Sequence, residues 1–223
     1  MKELDDLIKG SESSKILHQI NTQFPKHFHE HSHVLYDIRT LLGADREITY
    51  LEIGSYIGSS AALMLKHPYR SRVVCVDPLI LPAAHYKGTK SQEATLRETI
   101  TKNNPRNYPV TIHKKYSHDG LLLKQLKAVG TKIDLLFIDG DHRYKGVVAD
   151  WKNYEPFVAR GGFIVFDDYL DPKSSPEVRK AVDDIVAKLD CKKYQIIGSL
   201  PNYQKAYSPV PKTHSNEFII KKL

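Results

Sequence analysis

Cysteine is scarce: Cys75 and Cys191 are the only two in 223 residues. That is too few for a disulfide framework and suits a reducing compartment. Long apolar runs are also missing. None approaches the ~20 residues that a membrane-spanning helix needs, so a membrane partner is not expected. The opening Met1-Lys2-Glu3-Leu4-Asp5-Asp6 lacks the basic-then-apolar order of a secretory signal. Nor is there an internal repeat or a low-complexity segment. Together these absences lead to the expectation of a cytoplasmic globular chain.

Blocks of like charge are absent too. The net charge is +7, from 33 Lys and Arg against 26 Asp and Glu. The basic residues are scattered, with doublets at Lys114-Lys115, Lys192-Lys193 and Lys221-Lys222. A positive total draws anionic ligands over long range. Without a concentrated basic patch, nucleic acid is disfavoured as the main partner. Hydrophobic residues at 41% and charged residues at 26% are ordinary for a packed domain.

From residue 46 onward, short apolar runs alternate with helical patterns. The runs Ile48–Ile53, Val73–Asp77, Val110–His113, Ile133–Ile138 and Phe163–Phe166 read as buried parallel strands. Crossover helices are expected at Ser59–Lys66, Ser91–Asn103, Asp119–Ala128 and Lys145–Val158. The alternation predicts an α/β, Rossmann-like, doubly wound sheet with helices on both faces. A further helix is predicted over Ser174–Leu189, opened by a Ser174/Glu177 capping box with Pro176 in the first turn. Strands Tyr194–Ile197 and Glu217–Ile220 follow, separated by the loop Gly198–Ser215. Residues 1–45 read as an N-terminal helical cap and 46–223 as the main domain. Trp151, inside a predicted helix, is assigned to packing.

A glycine turn follows the first strand in Leu51-Glu52-Ile53-Gly54-Ser55-Tyr56-Ile57-Gly58-Ser59-Ser60-Ala61. Gly54 and Gly58 let backbone approach a ligand, and the next helix aims its first amides at it. In the dinucleotide fingerprint G-x-G-x-x-G the second and third glycines would fall on Tyr56 and Ser59. Pyrophosphate therefore fits poorly, which counts against an NAD-dependent oxidoreductase. Asp77, at the second strand's end, has two readings: acceptor for a ribose diol, or turn former before Pro78.

Carboxylates close the next two apolar strands. Ile133-Asp134-Leu135-Leu136-Phe137-Ile138 runs into Asp139, Asp141 and His142, and Phe163-Ile164-Val165-Phe166 runs into Asp167 and Asp168. Adjacent strands lie ~4.8 Å apart, so Asp139, Asp167 and Asp168 are expected to converge. Such acids repel unless protonated or bridged by a cation. Mg²⁺ or another divalent ion suits an all-oxygen set, whereas loop capping is the plainer alternative. His142 has the near-neutral titration of a general base, or it is a solvated loop histidine. His27, His29, His31 and His33 alternate; without acids or cysteines to complete a metal site, they are read as a polar helix surface.

Over residues 48–170 the chain resembles the class I S-adenosylmethionine-dependent methyltransferases, and within them the metal-dependent O-methyltransferases. The glycine turn looks like that of the catechol-type enzymes. The resemblance implies a seven-stranded, mostly parallel sheet whose last strand is antiparallel. It also implies cofactor contacts from Glu52, Gly54, Ser55, Tyr56, Gly58 and Ser60, with Ser60 on the methionine carboxylate. Asp77 would hold the ribose, and Ser117 and His118 would border the adenine. Asp139, Asp167 and Asp168 would be the metal ligands, with Asp139 between metal and cofactor. The chain departs from the catechol enzymes: His142 stands where they have a lysine, and Asp168 where they have an amide. Asp-x-x-His followed by paired acids looks instead like the macrolide-sugar O-methyltransferases. That points to a hydroxyl of a sugar or other natural product as acceptor, with a homo-oligomer as the default assembly. A nucleic-acid methyltransferase shares the fold, but the Pro-Pro-aromatic motif of base-amino methylation is replaced by Gly140-Asp141-His142. A module that binds without catalysing is the remaining alternative.

Overall fold

The computed structural model describes residues 12–23, 32–200 and 217–223. Strands β1 (Ile48–Ile53), β2 (Ser71–Val76), β3 (Val110–His113), β4 (Ile133–Ile138), β5 (Val158–Phe166), β6 (Tyr194–Ser199) and β7 (Phe218–Lys222) form one seven-stranded sheet, ordered β3-β2-β1-β4-β5-β7-β6. β1 to β5 are mutually parallel where they pair, and β7 runs antiparallel to both β5 and β6. The helices are α1 (Ser13–Asn21), α2 (Val34–Leu41), α3 (Ser59–Lys66), α4 (Gln92–Asn103), α5 (Gly120–Ala128), α6 (Tyr144–Tyr154) and α7 (Val178–Val186). Among the described residues no helix is long and apolar enough to cross a membrane.

Side chains alternate across a strand, so each apolar run feeds two cores. Tyr50, Val73, Cys75, Leu135, Phe137 and Val165 pack with residues of α2, α3 and α4 on one face. Leu51, Ile53, Val74, Leu136, Ile138 and Ile164 pack with residues of α5, α6 and α7 on the other. The N-terminal helices share these cores: Leu17 and Ile20 of α1 lie on Ala62 and Leu63 of α3, and Val34, Leu35 and Ile38 of α2 join the first face. Buried Arg39 ties α2 to the sheet through Ser71 Oγ at 3.0 Å and the carbonyls of Gly43, Arg46 and Arg70.

Several local expectations change. The helix expected to reach Val158 ends at Tyr154, because Pro156 sits in a short 3₁₀ turn, Glu155–Phe157. β5 therefore starts at Val158 rather than Phe163. The Ser174/Glu177 capping box does not form. The Ser174 amide donates to Asp171 Oδ1 at 2.9 Å, Glu177 Oε2 accepts from the Tyr144 amide at 2.8 Å, and α7 begins at Val178. His33 is not on a polar surface: it is 2% exposed, next to Ser13 Oγ at 3.1 Å and Asp37 Oδ2 at 4.0 Å. Those two polar partners from α1 and α2 make its burial tolerable. His27, His29, His31 and most of the Gly198–Ser215 loop lie outside the described residues. Trp151 packs as expected, stacked on Phe166 and tilted against Tyr194.

Candidate active site

The sheet's parallel ladder continues one residue past its strand ends. Asp77 N–H donates to the His113 carbonyl at 3.2 Å, Gly54 to Val76 at 2.9 Å, Asp139 to Ile53 at 2.9 Å and Asp167 to Ile138 at 3.0 Å. Asp77, Gly54, Asp139 and Asp167 therefore stand side by side along one carboxyl edge. The edge spans the β1/β4 junction, where strand order reverses and ligands bind in doubly wound sheets. A cavity of about 880 Å³ opens over it.

Close backbone approach explains Gly54. It has φ +87°, and a Cβ there would lie 1.8 Å from the Asp139 carbonyl oxygen. Gly58, at φ +93°, caps α3. Tyr56 also lies in the left-handed region, at φ 50°, and its amide donates to Asp77 Oδ2 at 2.8 Å. Asp77 accepts as well from the Leu79 amide at 2.7 Å and Gln92 Nε2 at 3.3 Å. Burial raises its pKa, and these donors work against that rise.

Of the expected site residues, Gly54, Tyr56, Ser60, Asp77, Ser117, His118, Asp139, His142, Asp167 and Asp168 line the cavity, whereas Glu52, Ser55 and Gly58 are not on its wall. Glu52 is 0% exposed and lies beneath the turn. It accepts from Tyr50 Oη at 2.7 Å, Ser60 Oγ at 2.7 Å and Cys75 Sγ at 3.4 Å. This buried knot holds the start of α3 against β1 and β2, and the Ser60 hydroxyl is directed inward to it.

The acids converge around His142. Its Nε2 lies 3.0 Å from Asp139 Oδ1 and its Nδ1 3.3 Å from Asp168 Oδ2. Burial raises the Asp139 carboxyl well above its usual range, and the neighbouring Asp167 charge adds to this. Burial disfavours the charged form of His142, but its hydrogen bond to Asp139 and the charges of Asp139, Asp168 and Asp167 outweigh that and hold its pKa at about 9. Asp168 has φ 56°, a left-handed conformation that costs a non-glycine residue ~1 kcal/mol or more and tends to cluster at functional sites. The donor set is hard oxygen and suits a divalent ion. As described, the imidazole sits between Asp139 and Asp168, and among the described residues no three His, Cys, Asp or Glu side chains enclose a metal position.

Two site residues escaped the sequence reading. Ser175, 2% exposed, bridges the cluster: its hydroxyl donates to Asp168 Oδ2 at 2.7 Å and lies 2.8 Å from His142 Nδ1. Nothing in its local sequence separates it from Ser174. Asp150 also lines the cavity, and here there was a signal. It falls between Val147 and Tyr154 on the buried face of α6, and an acid on an apolar stripe invites a functional reading.

The methyltransferase domain family matches residues 51–169. "Uncharacterized protein R132" of Acanthamoeba polyphaga mimivirus is 36% identical over 206 residues, 89% of each chain. Two solved structures share the fold at low identity. The O-methyltransferase TomG of Streptomyces achromogenes, involved in tomaymycin synthesis and solved with S-adenosylmethionine, has a TM-score of 0.63 at 14% identity, covering 95% of this chain and 90% of that one. An rRNA methylase from Streptococcus thermophilus has a TM-score of 0.59 at 13% identity, covering 86% and 95%.

Proposed function

The chain belongs to the methyltransferase domain family, and from that premise we propose that it moves the methyl group of S-adenosylmethionine to a hydroxyl of a small molecule, a sugar or other natural product, with Mg²⁺ or another divalent ion at its aspartates. One observation carries this reading: the register that sets Asp139, Asp167, Asp168 and His142 beside the Gly54 turn on a single sheet edge. The cavity of about 880 Å³ lies toward the upper end of the ~300–1,000 Å³ usual for small-molecule sites, enough for a donor and an acceptor together. TomG, of similar fold, acts in a natural-product pathway.

Each residue has a task in this scheme. Gly54, which lets the β1 and β4 ends approach closely, lines the cavity where the donor would lie. Asp77, held by the Tyr56 and Leu79 amides, presents its carboxylate to a ribose diol. Asp139, Asp167 and Asp168 would hold the divalent ion, which neutralises clustered carboxylates and acidifies a nearby hydroxyl. His142 takes the acceptor's proton. The neighbouring aspartates hold its pKa at about 9, so its work as a base depends on compensation of the aspartate charge around it. Bound S-adenosylmethionine presents an electrophilic methyl on sulfur, and much of the rate comes from fixing the two reactants in line.

The test is methyl transfer from radiolabelled S-adenosylmethionine to a panel of glycosides and phenols, with an rRNA transcript in parallel, before and after EDTA treatment. Label in a small hydroxyl acceptor that falls with EDTA and returns with Mg²⁺ is expected. Label entering RNA alone, indifferent to EDTA, would overturn the reading.

A further inference from the structure

Gln92 opens α4 and shares that helix's buried stripe with Leu96, Thr99, Ile100 and Asn103. It is 1% exposed, and a buried amide needs partners for both its N–H bonds and its oxygen. Nε2 donates to the Tyr56 carbonyl at 3.1 Å and to Asp77 Oδ1 at 3.3 Å. Oε1 accepts from the Leu81 amide at 2.9 Å. The amide fits one way round only: Leu81 offers an N–H, whereas Tyr56 and Asp77 offer acceptors. Leu96 and Ile100 seat α4 in the first core, so the side chain projects from a fixed base.

The three partners belong to three parts of the cavity. Tyr56 lies in the glycine turn and Asp77 at the β2 end. Leu81 lies in the segment that leads into a 3₁₀ turn, Ala83–Tyr86. Pro78, Ile80, Leu81 and His85 of that segment form one wall of the cavity, and Gln92 itself is not on it. The wall is bracketed by two left-handed residues, Leu79 at φ 53° and Lys87 at φ 54°. Such backbone persists only where the surroundings hold it in place. Asp77 holds Leu79 through its amide at 2.7 Å, Gln92 holds Leu81, and the Tyr56 ring meets His85 and Tyr86 edge-on.

We infer that Gln92 is a positioning residue that joins donor site to wall: Nε2 aims the Asp77 carboxylate at the donor's ribose, Oε1 holds the wall of residues 78–85 in the same frame, and the donor's grip on Asp77 is thereby transmitted to the wall. This rests on the S-adenosylmethionine reading above and adds to it a residue that never touches the donor. Asp77 Oδ1 is taken by the Leu79 amide and Gln92, while Oδ2 receives the Tyr56 amide and keeps room for a hydroxyl. A hydroxyl bound there restrains the carboxylate, and with it the two groups that share Oδ1. The wall then has less freedom left to lose when a second ligand meets it.

Two measurements test this without knowing the acceptor: calorimetric titration with S-adenosylhomocysteine, and backbone hydrogen exchange with and without it. In the wild type the ligand should slow exchange over residues 78–86. Gln92→Met, which keeps length but no hydrogen bonds, should weaken binding at least about tenfold and speed exchange over 78–86, with little response left to the ligand. Gln92→Glu separates the two arms at pH 8: it should weaken binding comparably while the wall keeps its unliganded exchange rate, because a carboxylate oxygen still accepts from Leu81. Gln92→Glu also carries the test if Gln92→Met does not fold. An affinity within about twofold of wild type in either variant overturns the inference. So does a wild-type wall that ignores the ligand, or exchange in Gln92→Met that rises evenly over the whole sheet, the mark of a packing role alone. A wild-type protein that binds no S-adenosylhomocysteine removes the donor reading itself.

Discussion

Ser175 and His142 lie 33 residues apart in sequence and share a 2.8 Å contact at the site, with the serine hydroxyl donating onward to Asp168 Oδ2 at 2.7 Å. Because that proton goes to Asp168, the serine oxygen is left to accept from His142 Nδ1, and Nε2 is turned toward Asp139. Ser175 thus holds the ring with Nε2 facing Asp139 at 3.0 Å and Nδ1 lying 3.3 Å from Asp168.

Ser175→Ala should cost about 1–3 kcal/mol of stability, because it leaves buried polar atoms unmet. Ser175→Thr, which keeps the hydroxyl, should recover most of the loss. Urea denaturation of the three proteins decides it: equal midpoints for Ala and wild type would show that the bridge contributes nothing.

Asp168→Ala should lower divalent-ion-dependent turnover by about 10–100-fold while S-adenosylhomocysteine binding changes little, since Asp168 stands at the β5 end, away from Asp77 and Gly54. His142→Ala should lower turnover by about 10²–10⁴-fold with little change in Mg²⁺ affinity. Calorimetry for each ligand, paired with initial rates, separates the two roles, and an unimpaired rate in His142→Ala removes it as the base.

Gly54→Ala should be among the most damaging small substitutions. The new methyl meets the Asp139 carbonyl oxygen at 1.8 Å, in a backbone held at φ +87°. A loss of at least ~2 kcal/mol is expected from strain and displacement of the β4 end, together with loss of S-adenosylhomocysteine binding. Thermal melting with and without that ligand reports both, and a ligand-induced shift as large as wild type's would contradict it.

Stability should fall in mild acid because of His67. It is buried, accepting from the Tyr69 amide through Nδ1 at 3.0 Å and lying 2.9 Å from Thr40 Oγ1 through Nε2. Burial, and then the Arg39 charge, lower its pKa from 6.5 to about 3. Below pH 6.5 the unfolded chain takes up a proton that the native state refuses until about pH 3. The unfolded state therefore binds more protons across that window, and stability drops as pH falls through it. His67→Gln should flatten the dependence between pH 6.5 and 4.5, read by urea midpoints at each pH. Retention of the full wild-type slope would assign it to other groups.

The strands are read well from sequence where they are short, apolar and buried on both faces. β1 and β4 keep the expected bounds, because a mostly apolar run buried on both faces has few other places to go; the half-exposed edge strand β3 keeps its bounds as well. Bounds fail where a nonlocal partner intervenes. Glu177 left its expected cap for the amide of Tyr144, and β5 gained five residues over Gly161 and Gly162 by pairing beside β4. Asp139, Asp167 and Asp168 were legible as a set because each ends an apolar run. The burial of Glu52 beneath the glycine turn was not legible, since its partners Tyr50, Ser60 and Cys75 come from three separate elements.

The sequence alone determined the alternation of strands and helices, the glycine turn and the acids at the strand ends, because each depends on near neighbours and on burial periodicity. Tertiary structure decided that Asp77, Gly54, Asp139 and Asp167 share one edge, that Ser175 reaches His142, and that Gln92 ties Asp77 to Tyr56 and Leu81. Those facts depend on register between distant strands and on which buried polar atoms find partners, and the packed chain settles both only as a whole.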